Sequence, residues 1–384
     1  MPCSWRWRKP PSSLWCATRP MARPTRAPDS GCSGPARCAD NCTVFFAQLM
    51  SEYSQQDCAM HYARLGLGGP TLSRLACAVP RPDPACPDAA QQTARGIAQA
   101  LDAGINLFDA TSCMDGMAES LLAKALGKRR AEVLVSSRLG ARRNGTHSHP
   151  SLSRSDIAWS IEQSLKRLGS DWLDLCVVPH EDPYTPLEET LQALDDMVRS
   201  GKVRYLGFAN WPAWKAAKAL ELQQRHGWAP FCFGELHYAL NTRSPEREAI
   251  PMLQSYGLGL IAKAKPSGLK PSQGHASCPT LTDSPRSNHR LAELLRDIAD
   301  GHQASATQIA LAWLLARDAV SSIVPAFNNA MQHTEVLHAT TLQLSATELL
   351  LLDAASAPTP LLPDWFAPQE QMPAAQGELA RSCA

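Results

Sequence analysis

Eight short apolar runs, separated by amphipathic stretches, set the tightest limit on how this chain can fold. The alternation begins near Met60, and such a succession of strands and helices is typical of a parallel α/β protein. Eight strand–helix units in one domain predict a closed (β/α)8 TIM barrel. The predicted strands are residues 74–79, 106–110, 133–139, 173–179, 204–209, 231–238, 259–265 and 322–327.

A doubly wound parallel sheet is the competing fold for this alternation. That fold binds dinucleotides with a Gly-x-Gly-x-x-Gly turn that directly follows an early strand. Here the glycine-rich run from Gly66 to Gly69 precedes the first predicted strand, and no such turn follows it. The sequence therefore favours the barrel.

Three of the later helices carry start signals. In each, a Ser or Thr is followed three residues later by Glu or Gln, a pattern in which the two side chains cap the helix reciprocally. The positions are Thr185, Ser305 and Ser345, and Pro186 adds a favourable first helical residue to one of them. We expect a capping box at all three.

Composition excludes several classes of partner. The formal net charge is +1 and 44% of the 384 residues are hydrophobic, which is typical of a globular protein and predicts no nucleic-acid partner. No apolar run reaches the roughly 20 residues that cross a bilayer, so we expect no membrane association. The 13 cysteines show no paired zinc-ligand spacing, which predicts reduced thiols, no metal site and a cytoplasmic protein.

The two ends of the chain differ in composition from the rest. Residues 1–59 are rich in Pro, Arg, Ser, Cys and Trp without amphipathic periodicity. This predicts a disordered or mis-started extension, with a transit peptide as the alternative. Residues 60–366 form the predicted barrel, and residues 367–384 a mobile tail. The long segment 266–288 after the seventh strand is interpreted either as a functional loop or as a disordered one.

Several motifs follow one another in a fixed order along the predicted barrel. They are residues 60–66, 104–109 (Gly-Ile-Asn-Leu-Phe-Asp), 164–175, 186–191, 201–207 (Gly-Lys-Val-Arg-Tyr-Leu-Gly) and 308–315. Together they cover nearly all of the predicted barrel, and in this order the chain resembles the aldo-keto reductase superfamily. The resemblance implies a barrel that opens with a hairpin, binds NADP(H) at the carboxyl ends of its strands and reduces aldehydes or ketones.

The resemblance also implies four catalytic groups, and only one of them carries over unchanged. Asp109 stands at the position of the aspartate. The tyrosine position is Met114, whose thioether has no proton to give. The lysine position is Arg138, whose guanidinium does not serve as a proton donor. We expect Asp109 and Arg138 to form a buried ion pair.

The fourth group, a histidine that orients the substrate carbonyl, falls on Pro179. His180 is the next residue, but successive strand residues point to opposite faces, so His180 is expected to face away from the site. A β-bulge at Pro179 would bring it back. Both placements are open at this point.

The positions that the resemblance assigns to the nicotinamide are altered as well. The Ser-Asn pair after the fifth strand reads Ala209-Asn210, so half of it is retained. The glutamine of the sixth strand is Glu235, which adds a negative charge. The stacking aromatic of the seventh strand is Lys263, which has no flat face.

The loop that the resemblance assigns to the 2′-phosphate of NADP(H) has changed in the same way. It ends at Asn328 and lacks the usual glycine and the cation that pairs with the phosphate. Gln332 and Glu335 of the following helix are retained. The sequence therefore predicts altered NADP(H) binding.

Polar side chains near the predicted barrel mouth allow a further interpretation. Carboxylates and imidazoles suit an acid–base pair or a zinc or iron site, but a solvated loop with one satisfied polar group is the preferred interpretation. Likewise Cys113 is interpreted as a buried thiol rather than a reactive one, and Lys263 and Lys265 as partners of Glu235. The acid–base candidates are His180, Glu181, Asp182, Glu235 and His237.

Three hypotheses for the function follow. The favoured one is a non-reductase member that binds a small-molecule ligand at the barrel mouth or a protein partner, because the catalytic and cofactor positions have changed together. The second is an NADP(H)-dependent oxidoreductase in which Tyr184 or Tyr238 replaces the proton donor. The third is an enzyme without hydride transfer that uses Asp109, Glu235 and His180.

Overall fold

The computed structural model describes residues 60–80, 88–111, 116–140, 151–179, 182–264, 285–325 and 336–358. Several sequence-based predictions lie outside the described residues. They concern the segments 1–59 and 367–384, most of 266–288, and the side chains of Cys113, Met114, His180, Glu181, Lys265, Asn328, Gln332 and Glu335. No helix in the described part is long and apolar enough to cross a lipid bilayer.

An antiparallel hairpin covers the amino-terminal end of the barrel. Its strands are β1 (Tyr62–Arg64) and β2 (Thr71–Ser73). Leu65 and Leu72 are fully buried among side chains that fill the barrel interior. At Gly66 φ is +63°, and a Cβ atom there would lie 2.5 Å from Gly259 N. Glycine is therefore required for the hairpin to approach the barrel this closely.

Eight parallel strands form the barrel, as the sequence predicts, and each pairs with the next in chain order. The two edges meet where Ala76 N donates to Ile323 O at 2.8 Å and Ile323 N donates to Arg74 O at 2.9 Å. The (β/α)8 TIM barrel is confirmed, with small shifts at the strand ends. The strands are β3 (Cys77–Ala78), β4 (Leu107–Asp109), β5 (Leu134–Arg138), β6 (Leu173–Val178), β7 (Val203–Ala209), β8 (Phe231–His237), β9 (Gly259–Ala264) and β10 (Val320–Pro325).

Helices connect the strands on the outside of the barrel. They are α1 (Ala89–Asp102), α2 (Met117–Leu126), α3 (Arg154–Leu168), α4 (Leu187–Arg199), α5 (Ala213–His226), α6 (Ala249–Ser255), α7 (Pro285–His302), α8 (Ala306–Leu315) and α9 (Ala346–Ala355). Short 3-10 helices span Gly127–Glu132, Ser244–Glu246 and His338–Thr340. The start of α7 shows that the last residues of the predicted 266–288 loop are helical.

Two of the three predicted capping boxes are present. Ser305 and Ser345 each accept a hydrogen bond from the backbone N–H three residues later, and the side chain of that later residue caps in return. The predicted box at Thr185 is wrong, since α4 begins without a side-chain cap. The hydroxyl of Thr185 donates to Asp182 Oδ2 instead.

The apolar core has two layers. An outer layer packs the helices against the sheet, and an inner layer fills the barrel. Leu107, Phe233 and Ile261 belong to the inner layer and are buried. Because strand side chains alternate between faces, the residue two positions later also points into the barrel. These later residues are Asp109, Glu235 and Lys263.

From the packing of the hairpin we predict that substituting two of its leucines by alanine lowers the free energy of unfolding by different amounts. Leu72 is fully buried, whereas Leu67 is 78% exposed. Leu72→Ala leaves a cavity, so we expect the free energy of unfolding to fall by about 2–5 kcal/mol. Leu67→Ala is the matched control and is expected to change it by less than about 0.5 kcal/mol. Urea denaturation measures both, and equal effects would contradict the packing of Leu72 into the barrel end.

Candidate functional site

Four charged side chains meet at the carboxyl ends of the barrel strands. They are Asp109 of β4, Arg138 of β5, Glu235 of β8 and Lys263 of β9, and we call them the mouth charges. Asp109 and Glu235 are 2% and 1% exposed. The two cationic side chains are mostly buried. Buried charges of this kind are costly unless they are paired.

Lys263 lies between the two buried carboxylates. Its Nζ is 3.1 Å from Asp109 Oδ2 and 3.5 Å from Glu235 Oε1. It also donates to the hydroxyl of Thr111, which in turn donates to Asp109 Oδ2 at 2.9 Å. The predicted pairing of Lys263 with Glu235 is present, but the shorter ion pair is with Asp109.

Arg138 pairs with Glu235 and not with Asp109. Its Nη2 donates to Glu235 Oε1, the same oxygen that faces Lys263. The predicted Asp109–Arg138 ion pair is wrong, because the ammonium of Lys263 reaches Asp109 through the barrel interior and takes that place. Sequence reasoning missed Lys263 and Thr111 as partners of Asp109. The sequence signal for this pairing was a lysine at an inward-facing position of β9, where the resemblance has an aromatic residue, together with the retained aspartate.

The mouth charges form one series of alternating sign. The order is Asp109, Lys263, Glu235, Arg138, so each cation contacts at least one carboxylate. Two atoms of the series, Asp109 Oδ1 and Arg138 Nε, are buried without a hydrogen-bond partner among the described residues. Such atoms cost free energy unless a ligand or water satisfies them.

Asn210, the retained half of the predicted nicotinamide pair, is exposed and is hydrogen-bonded to β8. Its φ is +52°, a left-handed conformation that asparagine adopts more readily than most residues. Asn210 Oδ1 accepts a hydrogen bond from His237 N at 2.9 Å, and Asn210 N donates to Glu235 O at 3.0 Å. Ala209 before it is buried and has no polar side chain. The side-chain oxygen of Asn210 is therefore committed to β8.

Pro179 directly follows β6 and is buried. Its carbonyl oxygen accepts a hydrogen bond from Trp211 Nε1. From Leu175 to Val178, β6 pairs with β7 in regular register. The placement of His180 beyond Pro179 stays a prediction.

Asp182 holds the loop that follows β6. It accepts hydrogen bonds from Leu152 N and Tyr184 N, both at 2.9 Å, and from the Thr185 hydroxyl. Burial raises the pKa of Asp182, but these hydrogen bonds together lower it further, so it lies below its usual value. The contacts agree with a structural role for Asp182. Within the described ranges, no group of three His, Cys, Asp or Glu residues is placed to hold a metal ion.

The two tyrosines suggested as substitute proton donors make other contacts. The hydroxyl of Tyr238 donates to Glu246 Oε1 at 2.6 Å, and its ring centre lies 5.8 Å from that of Trp313 in the outer layer of the core. Burial and then the Glu246 carboxylate raise the pKa of Tyr238 above its usual value. Tyr184 is 84% exposed on the loop after β6. No described hydrogen bond joins either tyrosine to the mouth charges.

The mouth charges predict energetic coupling between Asp109 and Lys263. Lys263→Met leaves two buried carboxylates with one cation, so we expect the free energy of unfolding to fall by about 3–5 kcal/mol. Asp109→Asn together with Lys263→Met removes one charge of each sign. We expect the double variant to be less destabilised than Lys263→Met alone, with a coupling of about 0.5–3 kcal/mol.

Urea denaturation of the parent, the two single variants and the double variant measures this coupling. Lys218→Met, at an exposed position of α5, controls for the loss of a lysine. Strictly additive effects of the two mouth substitutions would contradict a direct ion pair.

Comparison with known proteins agrees with this fold. The sequence model of the aldo/keto reductase family matches residues 64–357. An aldo-keto reductase of Fusarium vanettenii is 29% identical over 300 residues, covering 68% of this chain and 80% of the relative. An uncharacterized oxidoreductase of Bacillus subtilis is 28% identical over 315 residues, covering 77% and 95%. A Schizosaccharomyces pombe protein named as a voltage-gated potassium channel subunit beta is 28% identical over 259 residues, covering 61% and 74%. This chain belongs to the aldo/keto reductase family.

Proposed function

We propose that this chain is a non-reductase member of its family, which acts by binding a ligand or a partner rather than by hydride transfer. The observation that carries the proposal is the position of Lys263 between Asp109 and Glu235. The resemblance gives position 263 to an aromatic side chain that stacks on the nicotinamide ring. A lysine whose ammonium contacts two buried carboxylates offers no flat face for stacking.

The proton donor of carbonyl reduction is a second argument. A reductase needs a group that gives a proton to the carbonyl oxygen, and the resemblance assigns that role to a tyrosine where this chain has Met114. Arg138 is paired with Glu235, and a guanidinium does not release its proton at ordinary pH. Tyr238 donates its hydroxyl to Glu246 in the outer layer of the core. These contacts support the loss of reductase activity.

NAD(P)H is the cofactor typical of the family, and the described mouth residues do not fit it. Asn210 uses its side-chain oxygen on β8. Glu235 carries a charge where the resemblance has a neutral glutamine. A nicotinamide ring stacked at position 263 would have to displace Lys263 from its ion pairs, and breaking a buried pair costs about 3–5 kcal/mol. We therefore infer that NADP(H) does not bind productively at this mouth.

A binding role has support from the mouth and from the name of one relative. Asp109 Oδ1 is a buried acceptor and Arg138 Nε a buried donor, each without a partner in the described part of the chain. A ligand with a hydroxyl or amide group would satisfy both kinds of atom. One relative is named for a channel subunit rather than for a reaction. We infer a small-molecule ligand at the mouth or a protein partner for this chain.

A second candidate function is an enzyme that transfers protons without hydride transfer. It is favoured by Asp109 Oδ1, a buried carboxylate oxygen with no hydrogen-bond partner among the described residues. Such an oxygen is able to take a proton from a substrate bound within hydrogen-bond distance. This function, like the first, needs no nicotinamide.

Cofactor titration tests the main proposal. We expect neither NADPH nor NADH to quench the tryptophan fluorescence of the purified chain saturably in the micromolar range. We also expect no oxidation of NADPH in the presence of aldehydes or ketones, because none of the described mouth residues offers a stacking face or a phenol. Saturable binding with turnover would contradict the proposal.

Restoring the family residues separates cofactor binding from proton donation. Glu235→Gln with Lys263→Tyr removes the displaced ion pairs and adds a stacking face, so we expect NADPH affinity to rise roughly tenfold or more. Met114→Tyr with Arg138→Lys is the matched control, because it changes as many residues without adding that face. A gain in NADPH affinity from the control pair alone would show that Lys263 is not the obstacle.

A further inference from the structure

A groove lined by cations lies at the opposite end of the barrel from the mouth. It sits between the carboxyl ends of α2 and α3, where the chain turns toward β5 and β6, and its volume is about 500 Å³. Helices of such a barrel run back from the carboxyl ends of the strands, so these turns lie at the amino-terminal end. Lys124, Arg130, Lys166 and Arg167 line this basic groove.

The two lysines of the basic groove lie outside ion-pair distance of any described carboxylate. The described residues that line the groove include no Asp or Glu. Lys124 and Lys166 are exposed, and neither forms an ion pair among the residues that the structure describes. Glu162, one turn before Lys166, is bound to Lys202 Nζ at 3.0 Å, and Lys166 acts on the same carboxylate only through a weaker electrostatic interaction. The carboxyl ends of α2 and α3 attract cations, but each carries only about half a negative charge. The positive charge of the two lysines is therefore larger than the combined negative charge of the two helix ends.

The two arginines of the basic groove are held in place from behind. Arg130 Nη2 lies 2.8 Å from Asp174 Oδ2 and donates to Trp172 O at 3.1 Å. The guanidinium of Arg130 is 5.2 Å from the centre of the Trp172 ring. Arg167 Nε donates to Glu119. Because both carboxylate side chains are buried, these guanidinium groups lose little conformational freedom when a ligand binds.

One of these carboxylates, Asp174, is shared between two guanidinium groups, which increases the net positive charge at the basic groove. Asp174 Oδ1 also accepts from Arg204 Nη1 at 3.0 Å. A single carboxylate therefore balances two guanidinium groups, Arg130 and Arg204. The basic groove keeps a positive charge beyond that of its two unpaired lysines.

We propose that the basic groove binds a small molecule that carries two or more linked phosphoryl groups. Guanidinium and ammonium groups bind phosphate oxygens through charge-assisted hydrogen bonds. Four cations around one concave space suit a ligand with several negative charges, and the volume lies in the range of small-molecule sites. The basic groove and the mouth lie at opposite ends of the barrel, so this inference does not depend on the proposed function.

Calorimetric titration of the full chain with inorganic pyrophosphate, at constant ionic strength, tests the inference. We expect one saturable site. Lys124→Glu with Lys166→Glu turns two ligand-facing cations into anions and is expected to lower the affinity roughly tenfold or more. Lys218→Glu with Arg225→Glu makes the same change of net charge at exposed positions of α5. This matched pair is expected to change the affinity by less than about twofold, because distant exposed charges are screened.

Thermal unfolding shows whether each variant is folded. Lys124→Gln with Lys166→Gln takes the place of the charge reversal if the reversal prevents folding, and it is expected to weaken binding in the same direction. Absence of saturable binding to the parent would overturn the inference. Equal losses in the groove pair and the matched pair would also overturn it, as would a pyrophosphate site that neither pair affects, since these results place the anion elsewhere.

Discussion

The contact of one ammonium with two buried carboxylates determines how the charges of the barrel mouth are paired. Lys263 serves both Asp109 and Glu235, and Arg138 adds a second cation to Glu235. The resemblance places the cationic partner of the aspartate on β5, whereas here it comes from β9. Changing position 235 or 263 alone would leave a buried charge without its partner, which costs about 3–5 kcal/mol, whereas position 138 is a cation both here and in the resemblance. The replacements at 235 and 263 are therefore physically consistent as a pair.

Most of the fold could be predicted from the sequence because its signals are local. Each barrel strand shows itself as a short apolar run between helical stretches, and all eight are confirmed. The capping boxes at Ser305 and Ser345 depend only on residues within one helical turn, and both are present. The box at Thr185 fails because the helix begins one residue later, with Pro186 as its N-cap, while the Thr185 hydroxyl donates to Asp182 in the preceding loop. That contact depends on the shape of a loop and not on the local pattern.

The site could be predicted only in part. The family resemblance was enough to place Asp109, Glu235 and Lys263 at the mouth. It was not enough to choose their partners: Asp109 is paired in the sheet with Ser136, close to Arg138 on the neighbouring strand. The observed partner comes from β9, because the long side chain of Lys263 extends through the barrel interior. The distance that a side chain spans across the barrel interior can be read only from the assembled barrel. The roles of Met114, His180, Asn328 and Gln332 stay predictions.

This chain retains the barrel of a reductase family, but the activity of any such barrel depends on a few side chains at its mouth. A crystal structure grown with saturating NADPH tests the central claim most directly. We expect Lys263 Nζ to stay within ion-pair distance of both Asp109 and Glu235, with no nicotinamide ring at the carboxyl ends of the strands. A ring seated there, with Lys263 turned away from Asp109, would contradict that claim.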